Sequence, residues 1–271
     1  MQHLVFHYFC SMSKKGISVI AVEYLNTALF VRGLRDLKQQ GLITLSLNNP
    51  AFCAENLRNG IAQVGLVPVA AIPELKPDSV FSKYCIGAKG PVHTVRLLSN
   101  KPLKELKTIL LDSHSRTSAR LVELLAKKYW GIEVSFKHAE AGFEKGEHSD
   151  DTGILVIGDK VFAIEDQFSY SLDLADEWTK WTGMPFVFAV WVSMIPIDDI
   201  WIEHFNQALS MGLKYKDEIA SEFSLRPGFE GVDVQKYLTT HISYSFEEDK
   251  KKGMKMFLDF ITDKEYDIPY K

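Results

Sequence analysis

The sequence predicts an α/β fold of two lobes, each a mostly parallel sheet flanked by helices, with a ligand cleft between the lobes. At the start of the chain, short apolar runs typical of buried strands alternate with segments of helical spacing. Two further buried-strand patterns, Thr108–Leu111 and Gly153–Gly158, lie in the middle of the chain and indicate a second sheet. From Pro196 onward the pattern is helical and predicts helices that complete the first lobe. Strand–helix–strand order predicts parallel pairing with right-handed crossovers.

Composition narrows the class of protein. The chain has 271 residues, of which 46% are hydrophobic, enough for a large core and too many for a disordered chain. The 31 Lys and Arg against 35 Asp and Glu argue against a nucleic-acid binder held by phosphate contacts. No apolar run approaches the roughly 18 residues of a membrane-spanning helix. We therefore expect neither a nucleic-acid nor a membrane partner.

The cysteines and the N-terminus indicate the compartment. Cys10, Cys53 and Cys85 are scattered and lack metal-binding spacing, which favours a reducing compartment. The first eleven residues lack the basic start and the cleavage site of a signal peptide. A more natural start begins at Met12, so residues 1–13 are predicted to be an N-terminal extension of a cytoplasmic protein.

The first lobe begins with Ile17–Val22, a β-branched run typical of a strand buried on both faces. The polar segment Tyr24–Thr27 follows and leads into a predicted helix, Ala28–Leu37. Asn26 is either the N-cap of that helix or an amide that faces a ligand at the carboxyl end of the strand. The next predicted elements are a strand, a helix and a strand: Ile43–Leu47, Pro50–Asn59 and Gln63–Ala71.

Two extended segments are predicted to cross between the lobes. Val92–Leu98 follows breaks at glycine and proline and leaves the first sheet, and Phe186–Ser193 returns to it. Thr94, in the first crossing, is either an ordinary strand residue or a hydroxyl that lines the cleft. The predicted boundaries are residues 14–95 with 195–271 for the first lobe and 96–194 for the second. The predicted C-terminal helices are Asp198–Leu213, Lys214–Phe223, Val232–Leu238 and Glu247–Ile261.

The segment Ser115–Ser118, with the sequence SRTS, lies where a strand ends and a helix begins. Free backbone N–H groups, hydroxyls and the positive end of a helix dipole meet at such a junction, and Arg116 adds a planar cation. A carboxylate or phosphate would be stabilised there. The alternative is a Ser or Thr helix cap with a surface arginine.

The second lobe offers another junction at Gly158–Asp159, where the glycine permits close approach of a ligand or of backbone. Together with Tyr24–Thr27 and Ser115–Ser118, it is predicted to line the cleft. The predicted binding residues are therefore Tyr24, Thr27, Ser115, Arg116, Thr117, Ser118, Gly158 and Asp159.

Several segments, in order along about Ile17 to Phe257, together resemble chorismate dehydratase, an enzyme of the futalosine route to menaquinone. They are AVEYLNT (Ala21–Thr27), VGLVPVAAI (Val64–Ile72), GPVHTV (Gly90–Val95), LLDSHSRTSARLVELL (Leu110–Leu125), ILVIGD (Ile154–Asp159), EWTKWTGMPFVFAVWV (Glu177–Val192) and YLTTHISYSF (Tyr237–Phe246). The chain departs from the family pattern at Glu23, where a small Ser is usual, and at Thr94, where Ser is common. Thr94 retains the hydroxyl.

The resemblance implies a type II periplasmic-binding-protein fold and the conversion of chorismate to 3-[(1-carboxyvinyl)oxy]benzoate with loss of water. It implies no metal or organic cofactor, chorismate as the small-molecule partner, and Asn26 and Thr94 as the catalytic residues. A homodimer is left open. Two alternatives remain: a solute-binding protein for a small carboxylate, and the related 1,4-dihydroxy-6-naphthoate synthase, which has a His base where this chain has Gly158–Asp159.

Overall fold

The computed structural model of the chain describes residues 16–113, 115–140 and 142–271 and contains two β-sheets flanked by helices. The predicted N-terminal extension, residues 1–13, lies outside the described residues. The strands are β1 Ile17–Val22, β2 Ile43–Asn48, β3 Val64–Pro68, β4 Ser79–Ala88, β5 Val95–Ser99, β6 Thr108–Asp112, β7 Ser135–Ala139, β8 Thr152–Ile157, β9 Tyr170–Asp173, β10 Phe186–Ser193 and β11 Ser243–Ser245.

Helices cover the faces of both sheets. The α-helices are α1 Leu25–Gln39, α2 Pro50–Arg58, α3 Ile72–Leu75, α4 Thr117–Leu125, α5 Val161–Ile164, α6 Leu174–Thr182, α7 Asp199–Gly212, α8 Lys216–Ser224, α9 Val234–Lys236 and α10 Glu248–Thr262. Two π-helical turns extend α4 and α9, at Ala126–Trp130 and Tyr237–His241. Short 3-10 turns lie at Val69–Ala71, Leu103–Glu105, Phe143–Lys145, Glu165–Gln167 and Leu213–Tyr215.

The first sheet has the strand order β11-β4-β10-β3-β1-β2. Strand β1 pairs in parallel with β2 and β3, which confirms the strand–helix–strand reading of the start of the chain. Strands β4, β10 and β11 pair antiparallel. The sheet is therefore mixed, and the prediction of a mostly parallel sheet was wrong. The cause is that β10 returns from the second sheet and inserts between β3 and β4, antiparallel to both.

The second sheet has the order β7-β6-β8-β5-β9 and is also mixed. Strand β6 is parallel to β7 and β8, while β5 is antiparallel to β8 and β9. Because β10 pairs within the first sheet, we propose that the second lobe ends before Phe186 rather than at residue 194.

Helix α1, which carries one wall of the candidate site, packs closely against α7. A Cβ atom added at Gly33 would lie 2.0 Å from the backbone oxygen of Ala208, and one added at Gly212 would lie 2.1 Å from that of Leu29. Only glycine permits this backbone approach, so the two glycines set the distance between α1 and α7. Within the described part of the chain, no helix is both long and apolar enough to cross a membrane.

Candidate functional site

A cavity lies between the two sheets and is lined by residues from both. It encloses about 580 Å³ free of protein atoms, including its open mouth. Its lining residues are Val22, Tyr24, Asn26, Thr27, Pro50, Leu66, Pro68, Ile86, Val92, Thr94, Val95, Ser115, Arg116, Thr117, Ser118, Ile157, Gly158, Phe188 and Ala189. The structure thus brings together every predicted site residue except Asp159, which lies beside the cavity rather than in its wall.

The Tyr24–Thr27 wall is set by the start of helix α1. The helix begins at Leu25, with Tyr24 in the N-cap position, three residues before the predicted start. Asn26 is therefore inside the first turn, and its side chain is not the N-cap. Its Oδ1 accepts a hydrogen bond from Thr27 Oγ1 at 3.0 Å, and both residues line the cavity. Of the two interpretations of Asn26, the geometry agrees with an amide that faces a ligand.

The cap of helix α1 comes from the other lobe. Both carboxylate oxygens of Asp159 accept from the Leu25 N–H, at 3.2 and 3.0 Å. Burial raises the pKa of the Asp159 carboxyl to about 6, although the Leu25 N–H and the charge of Arg226 act in the opposite direction. Asp159 therefore links the lobes through a helix cap, with both carboxylate oxygens directed at the Leu25 N–H.

Gly158 brings the backbone of the second lobe against the ring of Tyr24. Gly158 has a φ of +74°, and a Cβ atom there would lie 2.9 Å from Tyr24 Cζ. Its N–H donates to the backbone oxygen of Thr94 at 2.9 Å, which ties the end of β8 to the first crossing. The predicted close approach at this glycine is one of backbone to a side chain of the other lobe.

Thr94 is held at the cavity by the crossing segment that precedes β5. The N–H groups of Val92 and His93 donate to the two carboxylate oxygens of Asp173, at 3.1 and 2.7 Å. Asp173 also caps helix α6 of the second lobe. The Thr94 hydroxyl is buried and lies 2.8 Å from the hydroxyl of Tyr237.

The Ser115–Ser118 wall combines a helix start with hydroxyl groups. Helix α4 begins at Thr117, so its first N–H groups point toward the cavity end of the helix. The Ser115 hydroxyl is buried and has no hydrogen-bond partner among the described residues. Thr117 is engaged already: its hydroxyl donates to the Phe188 backbone oxygen at 3.1 Å and accepts from the Ala70 N–H at 3.2 Å. Ser115 therefore has a buried hydroxyl without a partner among the described residues, and a ligand could use it.

Arg116 lines the cavity, and its guanidinium is also held by a salt bridge to Glu74. Its Nη1 lies 3.0 Å from Glu74 Oε2, and Glu74 also pairs with Arg58. Arg116 and Glu74 belong to opposite lobes, so the pair links the lobes near the cavity. This arrangement supports an anchoring or bracing role for the guanidinium.

The electrostatics of the cavity favour an anion. Among the described lining residues, Arg116 is the only one charged at neutral pH, and none is Asp, Glu, His, Lys or Cys. The remaining polar lining groups are hydroxyls and one amide, which can donate hydrogen bonds. Within residues 16–113, 115–140 and 142–271, no group of three or more His, Cys, Asp or Glu side chains is arranged to hold a metal ion.

Sequence reasoning missed three residues that shape the site: Glu74, Asp173 and Tyr237. Each acts through a contact with a residue at least 42 positions away in the chain. Such contacts leave no local periodicity or spacing. Tyr237 lies in a segment that carried the family resemblance, and that was the available signal.

Comparison with known proteins gives three findings. A family profile described as menaquinone biosynthesis matches residues 17–263. The chorismate dehydratase of Thermus thermophilus is 29% identical over 218 residues, which are 72% of this chain and 79% of that protein. The structure is also similar to solved structures.

Two of these neighbours are a protein from Archaeoglobus fulgidus, with a TM-score of 0.69, and the periplasmic aliphatic sulphonate binding protein of Escherichia coli, with a TM-score of 0.63. Each is 12% identical; the matches cover 92% and 93% of this chain and 97% and 93% of the neighbours. At this identity they show the fold alone. The chain has the predicted periplasmic-binding-protein-like fold.

Proposed function

The chain belongs to the menaquinone biosynthesis family, and from this premise we propose that it is a chorismate dehydratase, a hydro-lyase. The observation that carries the proposal is the composition of the cavity wall. A helix start suited to an anion faces neutral hydrogen-bond donors, and no described lining side chain is an ordinary general base. A substrate that brings its own carboxylates suits such a wall.

Chorismate has two carboxylates and a hydroxyl on a cyclohexadiene ring. The first N–H groups of helix α4, the Ser115 hydroxyl and Arg116 are suited to one carboxylate. Asn26 and Thr94 are suited to the second carboxylate or to the departing hydroxyl. Apolar side chains such as Leu66, Ile86 and Phe188 can pack against the ring and exclude water.

The reaction is the elimination of a ring proton and the neighbouring hydroxyl. The C–H electron pair forms the new ring double bond, the C–O bond breaks, and the hydroxyl leaves as water, so that the ring becomes aromatic. In the proposed mechanism the enolpyruvyl carboxylate of the substrate accepts the ring proton and passes it to the departing hydroxyl, which therefore leaves as water. Asn26 positions that carboxylate. Thr94 donates a hydrogen bond to the leaving hydroxyl. The protein contributes orientation and exclusion of water.

The first experiment is to incubate the purified protein with chorismate and follow the aromatic product by its absorbance and by mass spectrometry. Formation of a product that lacks one water supports the dehydratase. Binding of chorismate by calorimetry without any product would favour a solute-binding protein for a small carboxylate. Light scattering of the same sample would test the homodimer.

The proposed role of Asn26 has its own test. Asn26→Ala should lower kcat by about 100-fold or more, because it removes both positioning and a donor. Asn59→Ala is the matched control, since Asn59 is an exposed residue at the end of helix α2. Near-wild-type dehydration by folded Asn26→Ala would eliminate the proposed role.

A further inference from the structure

The hydroxyl of Tyr237 lies directly behind the two residues proposed to act on the substrate. Tyr237 begins the π-helical turn Tyr237–His241 and is 1% exposed. Its hydroxyl is 2.8 Å from Thr94 Oγ1, and the Asn26 side chain lies close enough to lower the pKa of the same hydroxyl. Asn26 and Thr94 come from different segments of the chain, and the Tyr237 hydroxyl lies next to both.

The ring of Tyr237 is fixed and its hydroxyl is neutral. Phe162 packs edge-on against it, with ring centroids 5.4 Å apart and an interplanar angle of 89°. Burial raises the pKa of the Tyr237 hydroxyl above its ordinary value, and the negative charge of Asp159 adds to this, while the Thr94 and Asn26 side chains act in the opposite direction. Tyr237 therefore keeps its proton and acts as a hydrogen-bonding group rather than as a base.

The hydrogen-bond roles along this chain of groups follow from their donors and acceptors. Asn26 Oδ1 accepts from Thr27 Oγ1, and the NH₂ group is the part of the amide that can donate to the phenol oxygen. Either hydroxyl can donate in the Thr94–Tyr237 hydrogen bond; when the phenol O–H donates to Thr94 Oγ1, the phenol oxygen is left to accept from Asn26. The Thr94 proton is then free to point elsewhere, and Thr94 lines the cavity. One N–H of Asn26 and the O–H of Thr94 thus remain as two donors for a ligand.

We propose that Tyr237 is a positioning residue for the dehydration, whose hydroxyl orients the Asn26 amide and the Thr94 hydroxyl as a pair of donors toward the substrate. This inference rests on the proposed function. Tyr237 touches no substrate atom in this scheme, because its hydroxyl pairs with Thr94 and Tyr237 is not among the residues that line the cavity.

The test replaces the hydroxyl and leaves the ring. Tyr237→Phe should lower kcat for chorismate by about 10- to 100-fold with a KM within about threefold, because the donors lose their alignment while the carboxylate anchor is unchanged. The control is Tyr244→Phe. Tyr244 is also buried and packs edge-on against an aromatic ring, Phe30, but its hydroxyl has no partner among the described residues. It should retain wild-type kcat.

A double-mutant cycle separates positioning from a general structural effect. In a Thr94→Val background, Tyr237→Phe should lower kcat by less than about a further threefold, because the hydrogen bond between the two residues is already lost. Thr94→Ser, which keeps the hydroxyl, should restore the full effect of Tyr237→Phe. Wild-type kcat in Tyr237→Phe, or equal losses in both backgrounds, would overturn the inference.

A second measurement is independent of turnover. In protein labelled with ¹⁵N-asparagine, Tyr237→Phe should shift the side-chain amide signals of Asn26, and Tyr244→Phe should not. If Tyr237→Phe does not fold, Thr94→Val should shift the same signals and Thr94→Ser should leave them near their positions. Unchanged Asn26 signals would overturn the inference even if chorismate is dehydrated. Absence of dehydration by the wild type would instead refute the proposed function and leave this measurement to decide the role of Tyr237.

Discussion

The contact between Gly158 and Tyr24 can be tested by adding a single methyl group. Gly158→Ala would place a Cβ atom 2.9 Å from Tyr24 Cζ and 3.0 Å from Cε1, at a residue with a φ of +74°. Gly183→Ala is the matched control, because Gly183 has a φ of +71° and no heavy atom within 4 Å of its added Cβ. The two variants share the left-handed backbone and differ in the contact with the ring.

The magnitudes follow from this difference. The left-handed backbone should cost each variant about 1–2 kcal/mol of unfolding free energy. Carbon atoms normally approach to about 3.5–4.0 Å, so the Tyr24 ring must move by roughly 0.6–1 Å in Gly158→Ala. Overpacking of this kind costs about 1–3 kcal/mol more. Because Tyr24 is part of the cavity wall, a displacement near 1 Å should also lower kcat/KM by about 100-fold.

Urea unfolding and steady-state kinetics with chorismate measure the two effects. We expect Gly158→Ala to be less stable than Gly183→Ala by about 1–3 kcal/mol, and Gly183→Ala to keep near-wild-type kcat/KM. Equal stability and equal activity of the two variants would refute the proposed packing of Gly158 against Tyr24 across the cleft.

Three further predictions concern the residues around the cavity. Because the pKa of Asp159 rises from 3.8 to about 6 on folding, the stability that its protonated form contributes is lost as the pH rises through 6. In urea unfolding, the wild type should therefore lose up to about 3 kcal/mol of unfolding free energy between pH 4 and 7 relative to Asp159→Asn. Parallel pH profiles of the two proteins would contradict this. Ser115→Ala should raise the KM for chorismate about tenfold and leave the unfolding free energy within about 0.5 kcal/mol, since the hydroxyl lacks a partner among the described residues; an unchanged KM would remove Ser115 from the binding site. Glu74→Gln should lower stability by less than about 1 kcal/mol and kcat by less than about threefold, because its pair with Arg116 is partly exposed; a far larger kinetic loss would show that the pair holds a catalytic geometry.

The start of the chain shows how much of the fold can be predicted from sequence. The β-branched run Ile17–Val22 predicts its strand with the bounds that the structure shows, because a run of this kind is buried on both faces. Helix α1 starts three residues earlier than predicted, because its cap is Asp159, which lies 134 residues from Leu25. A cap supplied by another lobe leaves no signal beside the helix.

The strand–helix junctions at the candidate site could be predicted from the sequence, but the contacts between their residues could not. Strand ends at Tyr24–Thr27, Ser115–Ser118 and Gly158 were expected to line the cleft because open α/β sheets bind ligands at the carboxyl ends of their strands. The direction of β10 was not predictable, since a continuous apolar run is compatible with either direction. The contact of Tyr237 with Thr94 depends on how these elements pack, and it could be found only in the structure.

The claim at the centre of this account is that the substrate, rather than a side chain of the cavity wall, supplies the base. The measurement that tests it most directly is the rate of aromatisation of chorismate compared with that of a derivative whose enolpyruvyl carboxylate is masked as a methyl ester. We predict that chorismate is dehydrated and that the bound ester reacts at least about 100-fold more slowly. Aromatisation of the ester at a rate close to that of chorismate would contradict the account.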